Sequence, residues 1–180
     1  IDTLDNLTGN GTHDSGLYEI TVSDPDTVET KNITYQRFSA DDVGKNKALV
    51  MKNRYNMVVS GSKYPIMVED QLTGYDLVVC CVDNLHTRRM LYRANVEEIK
   101  WLDLRSQGRN AALVSYKAEP STYDTLLAGP EGSFSCQGDS WNGSTEGIHF
   151  MHSVIAGVGA QWMQRWFAGE SVNPFMVVNV

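Results

Sequence analysis

Apolar and polar positions fall into blocks along this chain, and the blocks predict strands alternating with helices. Residues 19–24 alternate around Ile20 and Val22 and read as a strand that Pro25 stops, with Asp24 and Asp26 at its carboxyl end. Residues 27–39 read as an extended polar loop offering Asn32, Gln36 and Arg37 for contacts, and residues 40–56 as a helix carrying Ala48, Val50, Met51 and Tyr55 near helical spacing. A short strand is expected at 63–69. The strongest signal is the run Leu77-Val78-Val79-Cys80-Cys81-Val82, closed by Asp83-Asn84 and followed by helix-compatible residues 85–95. A run of this kind predicts a fully buried parallel strand that delivers an acid to its carboxyl end.

Further strands are expected at 99–104 and 110–116, then a long crossover loop at 118–147 rich in Gly, Ser, Thr, Asp and Asn. A final helix is predicted over 148–167, stopping at Gly169, with small residues 156, 157, 159 and 160 beside large ones, a pattern suited to close approach to a sheet or a second subunit. A last strand is expected at 174–180, and residues 1–17 read as weakly ordered. Strands alternating with helices imply βαβ units, hence an α/β fold with a mostly parallel sheet flanked by helices, in a single domain over 1–180.

Composition narrows the partners. The formal charge of −7 argues against nucleic acid as the main partner, because a phosphate backbone needs a basic stripe. No apolar run is long enough to cross a bilayer, so no membrane is expected, and a cytoplasmic location follows from the absence of a secretory pattern. Cys80 and Cys81 point to opposite faces of one strand and suit a core better than a disulfide; Cys136 lies in a Gly- and Ser-rich loop, as a reactive thiol or an incidental one.

Ligands of open α/β sheets bind at the carboxyl ends of the strands, which makes Asp83 a candidate for a metal-phosphate group. The plainer alternative is that Asp83 or Asn84 caps the following helix. Glu146, His149 and His152 recur every third residue and offer one carboxylate and two imidazoles to a metal, with polar first-turn residues as the simpler account.

Four motifs stand in a telling order: Ile20-Thr-Val-Ser-Asp24-Pro-Asp26-Thr-Val-Glu-Thr-Lys-Asn32, then Gln36-Arg37-Phe38, then Asp42-Val43-Gly44-Lys45-Asn46-Lys47-Ala48, then Val82-Asp83-Asn84 with Arg88. With these the chain resembles the ThiF/MoeB/HesA family, the bacterial relatives of ubiquitin-activating enzymes, over about residues 18–170. The resemblance implies a Rossmann-like fold, ATP and magnesium as cofactors, a homodimer, and adenylation of the C-terminal carboxylate of a small ubiquitin-like (β-grasp) protein. It implies that Asp24 holds the ribose hydroxyls, Lys47 the phosphates and Asp83 the magnesium, with Asn32 in the cofactor site and Arg88 there as a ligand contact or, equally, as one half of a structural ion pair. Position 35, where the family has an arginine, is a tyrosine, and Arg37 lies close enough to substitute.

Set against the family pattern, the resemblance implies a shortened N-terminal nucleotide-loop region, with Gly9 and Gly11 as the candidate glycines and a short run to Gly16. Cys136 falls at one of the family's zinc-cysteine positions without its partners, so no zinc is expected. Two alternatives stay open, a catalytically degenerate relative serving as an interaction or assembly module, and adenylation of a different carboxylate.

Overall fold

The computed structural model describes residues 18–55, 58–94, 97–127 and 147–179. The chain divides into two compact units, residues 1–66 and 67–180, and each is described by itself.

In the first unit, strand β1 (Ile20–Ser23) pairs in parallel with β2 (Val58–Ser62), and helix α1 (Lys47–Arg54) packs on both. Ala48 and Val50 of α1 are buried, as is Val28 in the same unit. Only a residue without a side chain fits at Gly61, since a Cβ there would lie 2.8 Å from the Ala48 carbonyl oxygen. Gly61→Ala is therefore expected to destabilise the protein by about 1–3 kcal/mol, because helix backbone has little room to yield. Chemical denaturation of the purified variant measures this, and an unchanged midpoint would refute it.

Two expectations change here. The helix predicted over 40–56 is a single 3₁₀ turn (Ala40–Asp42) followed by the separate α1. Gly44 breaks it with a φ of 84°, a left-handed conformation that glycine adopts without strain, and Asn46 then starts α1 as its N-cap. The strand predicted over 63–69 does not form; β2 lies just before it, at a Ser-Gly-Ser stretch that resembles a turn in sequence. Pro65 has no N–H to give a ladder, and the N–H groups of Met67 and Val68 donate to Gln71 Oε1 (2.7 and 3.0 Å), capping a 3₁₀ turn at Glu69–Leu72. The loop 27–39 contains another 3₁₀ turn, Thr30–Thr34.

The second unit holds a four-stranded sheet ordered β3 (Val78–Cys80), β4 (Trp101–Gln107), β5 (Asn110–Ser115), β6 (Phe175–Asn179). Between these strands lie α2 (Leu85–Arg93), α3 (Pro120–Leu127) and α4 (Met151–Phe167). β3 and β4 are parallel, whereas β4–β5 and β5–β6 are antiparallel. The α/β class with parallel strands flanked by helices is as expected, and the later half of this sheet turns antiparallel. Its first reversal is a two-residue hairpin in which Gly108 takes a φ of 57°.

β3 is shorter and less buried than the apolar run predicted. It forms an edge of this sheet, and Val79 stays 39% exposed. The 118–147 segment, expected as loop, opens with α3, where Pro120 takes the first helical position at no hydrogen-bonding cost. Residues 128–146, with Cys136 and Glu146, lie outside the described residues.

Alternation along β4 gives the sheet two different faces. Leu102 and Leu104, with Ala111 and Leu113 of β5, face α4 and pack with Met151, Ile155 and Trp162. Gly159 permits the close approach anticipated for this helix, since a Cβ there would meet Leu104 Cδ1 at 2.6 Å. Trp162 Nε1 donates to the Asn173 carbonyl (2.8 Å), and Gly169, with a φ of 73°, ends the helix where expected. On the other face Trp101 stacks on Tyr92 of α2 (4.6 Å), and Tyr123 of α3 tilts against both rings.

Candidate functional site

The tip of β1 and the start of α1 are joined by one side chain. Asn46 accepts the Leu49 N–H through Oδ1 (3.1 Å), capping α1, and its Nδ2 donates to the carbonyls of Asp24 (2.7 Å) and Asp26 (3.0 Å). The Lys47 N–H donates to the Asp26 carbonyl (2.9 Å), and its ammonium meets Asp26 Oδ2 at 2.9 Å. Lys47 is thus held at the carboxyl end of β1, with its side chain 17% exposed and Asp26 mostly exposed. Asp24 is half-buried, and its Oδ1 accepts the Asp26 N–H (2.8 Å), forming an Asx turn that fixes the carboxylate at the tip. The structure therefore brings Asp24 and Lys47 together. It adds Asp26 as the lysine's partner and Asn46 as the clasp. The signal for Asn46 was an asparagine directly before an apolar-periodic segment.

Arg54, the last residue of α1, organises the loop that carries Arg37. Its guanidinium donates to Asp42 Oδ2 and to the Arg37 carbonyl and lies over the Phe38 ring (5.8 Å). Asp42 Oδ2 also accepts the N–H and the hydroxyl of Ser39 (both 2.8 Å). Arg37 itself is exposed. Asn32 is buried and its amide is engaged locally, accepting the Glu29 N–H (2.9 Å) and donating to the Tyr35 hydroxyl (3.4 Å), so it shapes the turn before Arg37. A cavity of about 300 Å³ beside this loop is lined by Asp42, Lys45, Val50, Asn53 and Arg54, and by none of the predicted nucleotide residues.

The Ser39 N–H, then the Ser39 hydroxyl and the Arg54 charge hold the Asp42 carboxyl below its usual range. A carboxyl whose pKa is lower folded than unfolded stabilises the fold above its unfolded value, about 3.9, and that contribution disappears as pH falls through the folded value. Asp42→Asn is therefore expected to destabilise the protein at neutral pH, with the difference from wild type shrinking below about pH 4. Unfolding curves between pH 2 and 7 measure it, and a difference that grows on acidification would refute it.

In the second unit Asn84 is the N-cap of α2, accepting the Thr87 N–H through Oδ1 (2.9 Å). Capping therefore falls to Asn84 and leaves the Asp83 carboxylate exposed beyond the end of β3, with no hydrogen bond or ion pair to a described residue. Arg88, one turn into α2, is buried and donates from Nε to Asp103 Oδ1 (3.2 Å). Asp103 pairs in register with Cys80, the last residue of β3, so this ion pair lies beside the strand end that leads to Asp83.

Asp103 is fully buried and takes two more donors on Oδ2: the Tyr92 hydroxyl (2.5 Å) and Arg105 Nε (2.8 Å). Arg105 reaches on to the Tyr92 hydroxyl (2.8 Å) and to the Leu126 carbonyl (2.9 Å). Burial and the neighbouring Asp103 charge push the Tyr92 hydroxyl far above its ordinary pKa, which keeps it a neutral donor. Burial likewise raises the Cys80 thiol, consistent with a packing role. Asp103, Tyr92 and Arg105 had not been singled out from sequence. The available signal was the alternation Trp101, Asp103, Arg105, which puts an acid and a base on one face of a predicted strand.

Among the described residues no group of three or more His, Cys, Asp or Glu side chains is placed to hold a metal. α4 starts at Met151, after His149, and a ring nitrogen of His152 lies 3.1 Å from the His149 carbonyl oxygen; Glu146 lies outside the described residues, as do Gly9 and Gly11. Among the described residues no helix is long and apolar enough to cross a membrane.

A parallel strand pair in the first unit, and in the second unit another that is followed by a capped helix, define an α/β protein with parallel strands flanked by helices. The chain belongs to the ThiF family, whose model matches residues 12–178. Its fold is shared with E. coli MccB solved with ATP (TM-score 0.61, 17% identity, 92% of this chain and 54% of that one). It is also shared with MccB solved with MccA-N7isoASN (0.59, 17%, 92% and 55%) and with PaaA (0.60, 16%, 88% and 60%). This chain spans a little over half the length of those structures, and the likeness is one of Rossmann-like fold. No curated protein matches it.

Proposed function

We propose that this chain carries ATP-dependent adenylation of a C-terminal carboxylate on a protein or peptide partner, with a ubiquitin-like β-grasp protein as the first substrate to test. In this reaction a carboxylate oxygen of the partner bonds to the α-phosphorus of ATP, and the bond from that phosphorus to the bridging oxygen breaks, releasing pyrophosphate. Such chemistry asks a protein mainly for positioning and charge stabilisation. Family membership supports the reading, as does the solution of E. coli MccB both with ATP and with MccA.

The observation that carries the proposal is Asp83: Asn84 does the capping, which leaves a solvent-facing carboxylate at a strand's carboxyl end. That fits magnesium, which keeps several waters and takes one or two carboxylates together with substrate phosphates, and so needs no larger acidic cluster. Bound magnesium would supply charge neutralisation on the phosphates. Asp24 is assigned to the ribose hydroxyls and Lys47, by exchanging its Asp26 partner for phosphate, to the phosphates. Arg37 and Arg88 are assigned as further cations, Asn32 as support for the Arg37 turn, and Gly9 and Gly11 to the nucleotide loop. A homodimer is part of the same proposal.

Calorimetry with Mg-ATP on the folded chain is the test. Binding is expected, and Lys47→Ala should weaken it by at least about tenfold, equivalent to about 1.4 kcal/mol. A folded wild-type chain that binds no Mg-ATP at millimolar concentration would overturn the reading in favour of a non-catalytic interaction module.

A further inference from the structure

We propose that Asp103 is a positioning residue of the nucleotide site, fixing Arg88 by its Nε edge so that the Nη edge of the guanidinium meets a phosphate of the bound nucleotide. This rests on the adenylation reading above. Asp103 supplies a rigid anchor: it is fully buried, it sits in register with the last residue of β3, and Tyr92 and Arg105 hold its second oxygen. Its first oxygen takes Arg88 Nε, and among the described residues Asp103 is the one acceptor the Arg88 side chain meets. A guanidinium carries five donors in a planar fork, so fixing one edge orients the remaining N–H groups.

Charge supports the assignment. The cluster contains two guanidiniums, one carboxylate and a hydroxyl that stays neutral, leaving one positive charge in excess in a largely buried setting. An oxyanion would complete it. The Arg88 side chain is only 9% exposed, so the guanidinium is largely desolvated before any ligand arrives, and a charge-assisted bond to phosphate is stronger there than at a solvated surface. Arg88 lies in the turn of α2 that follows Asp83 and Asn84, so the ion pair to β4 also fixes the start of that helix.

The test reads the arginine directly, by nitrogen-proton spectroscopy of guanidinium signals on the full chain, with Arg88→Lys providing the assignment. A slowly exchanging Arg88 Nε–H signal is expected in the free protein, and Mg-ATP should shift the Arg88 Nη signals at the stoichiometry seen by calorimetry. Asp103→Asn should return the Nε–H signal to a solvent-exposed position and weaken Mg-ATP binding by at least about tenfold. Should Asp103→Asn not fold, Tyr92→Phe removes one donor from Asp103 without changing charge and should displace the same signal. Mg-ATP binding with Arg88 signals unmoved, or an Nε–H signal indifferent to both substitutions, overturns the positioning role and leaves the adenylation reading standing. Absence of Mg-ATP binding overturns that reading, and the role of Asp103 in nucleotide binding with it.

Discussion

Asp103→Ala is expected to lower the free energy of unfolding by about 3–5 kcal/mol, because removing one member of a buried ion network leaves its partners charged and uncompensated. Here the stranded partners are Arg88 and Arg105, whose guanidiniums converge on the two oxygens of a carboxylate that has no contact with water. The Tyr92 hydroxyl loses its acceptor as well. Replacing the whole set together with apolar residues of similar size should recover most of the loss, because desolvating the charges offsets much of what their attraction contributes. Urea unfolding of the single and combined variants distinguishes the two expectations. A single substitution costing under about 1 kcal/mol would show that water or structural relaxation compensates the buried cations.

Asp83 and Asn84, adjacent in sequence, are expected to give opposite phenotypes. Asp83→Ala should change stability by no more than about 0.5 kcal/mol, since the residue is exposed and bonds to no described residue. The same change should abolish the magnesium dependence of ATP binding. Asn84→Ala removes the acceptor for the Thr87 N–H and should cost about 1 kcal/mol of stability, as lost N-caps do. Its effect on nucleotide affinity should be smaller than that of Asp83→Ala, because the substituted residue holds the helix and not the metal. Thermal melts paired with calorimetry, with and without magnesium, read both quantities. An Asp83→Ala variant that keeps magnesium-dependent binding would remove this carboxylate from the proposed site.

Legibility in sequence followed the range of the interactions. Asp83-Asn84 after an apolar run predicted a strand end and a capped helix, because capping is settled within three residues. Gly169 as a helix terminator was legible for the same reason. The break between the 3₁₀ turn at Asp42 and α1 was written in Gly44 and Asn46, but apolar periodicity across 40–56 masked it. β2 was missed because Ser60-Gly61-Ser62 has the composition of a turn. Gly61 is needed there for the carbonyl of Ala48, 13 positions earlier, which no local pattern reveals.

By itself the sequence determined the α/β class, the order of most elements and the family motifs. These depend on alternation, capping and residue type, which act over a few positions. Only the tertiary structure decided that Asn46 clasps the β1 tip and that Lys47 rests against Asp26. It also decided that β5 and β6 run antiparallel to their neighbours, and that Arg88 is anchored by Asp103. These are pairings across 15 or more positions in several cases, and their geometry is set by which faces are buried together. A buried polar group must find its partner wherever packing places one.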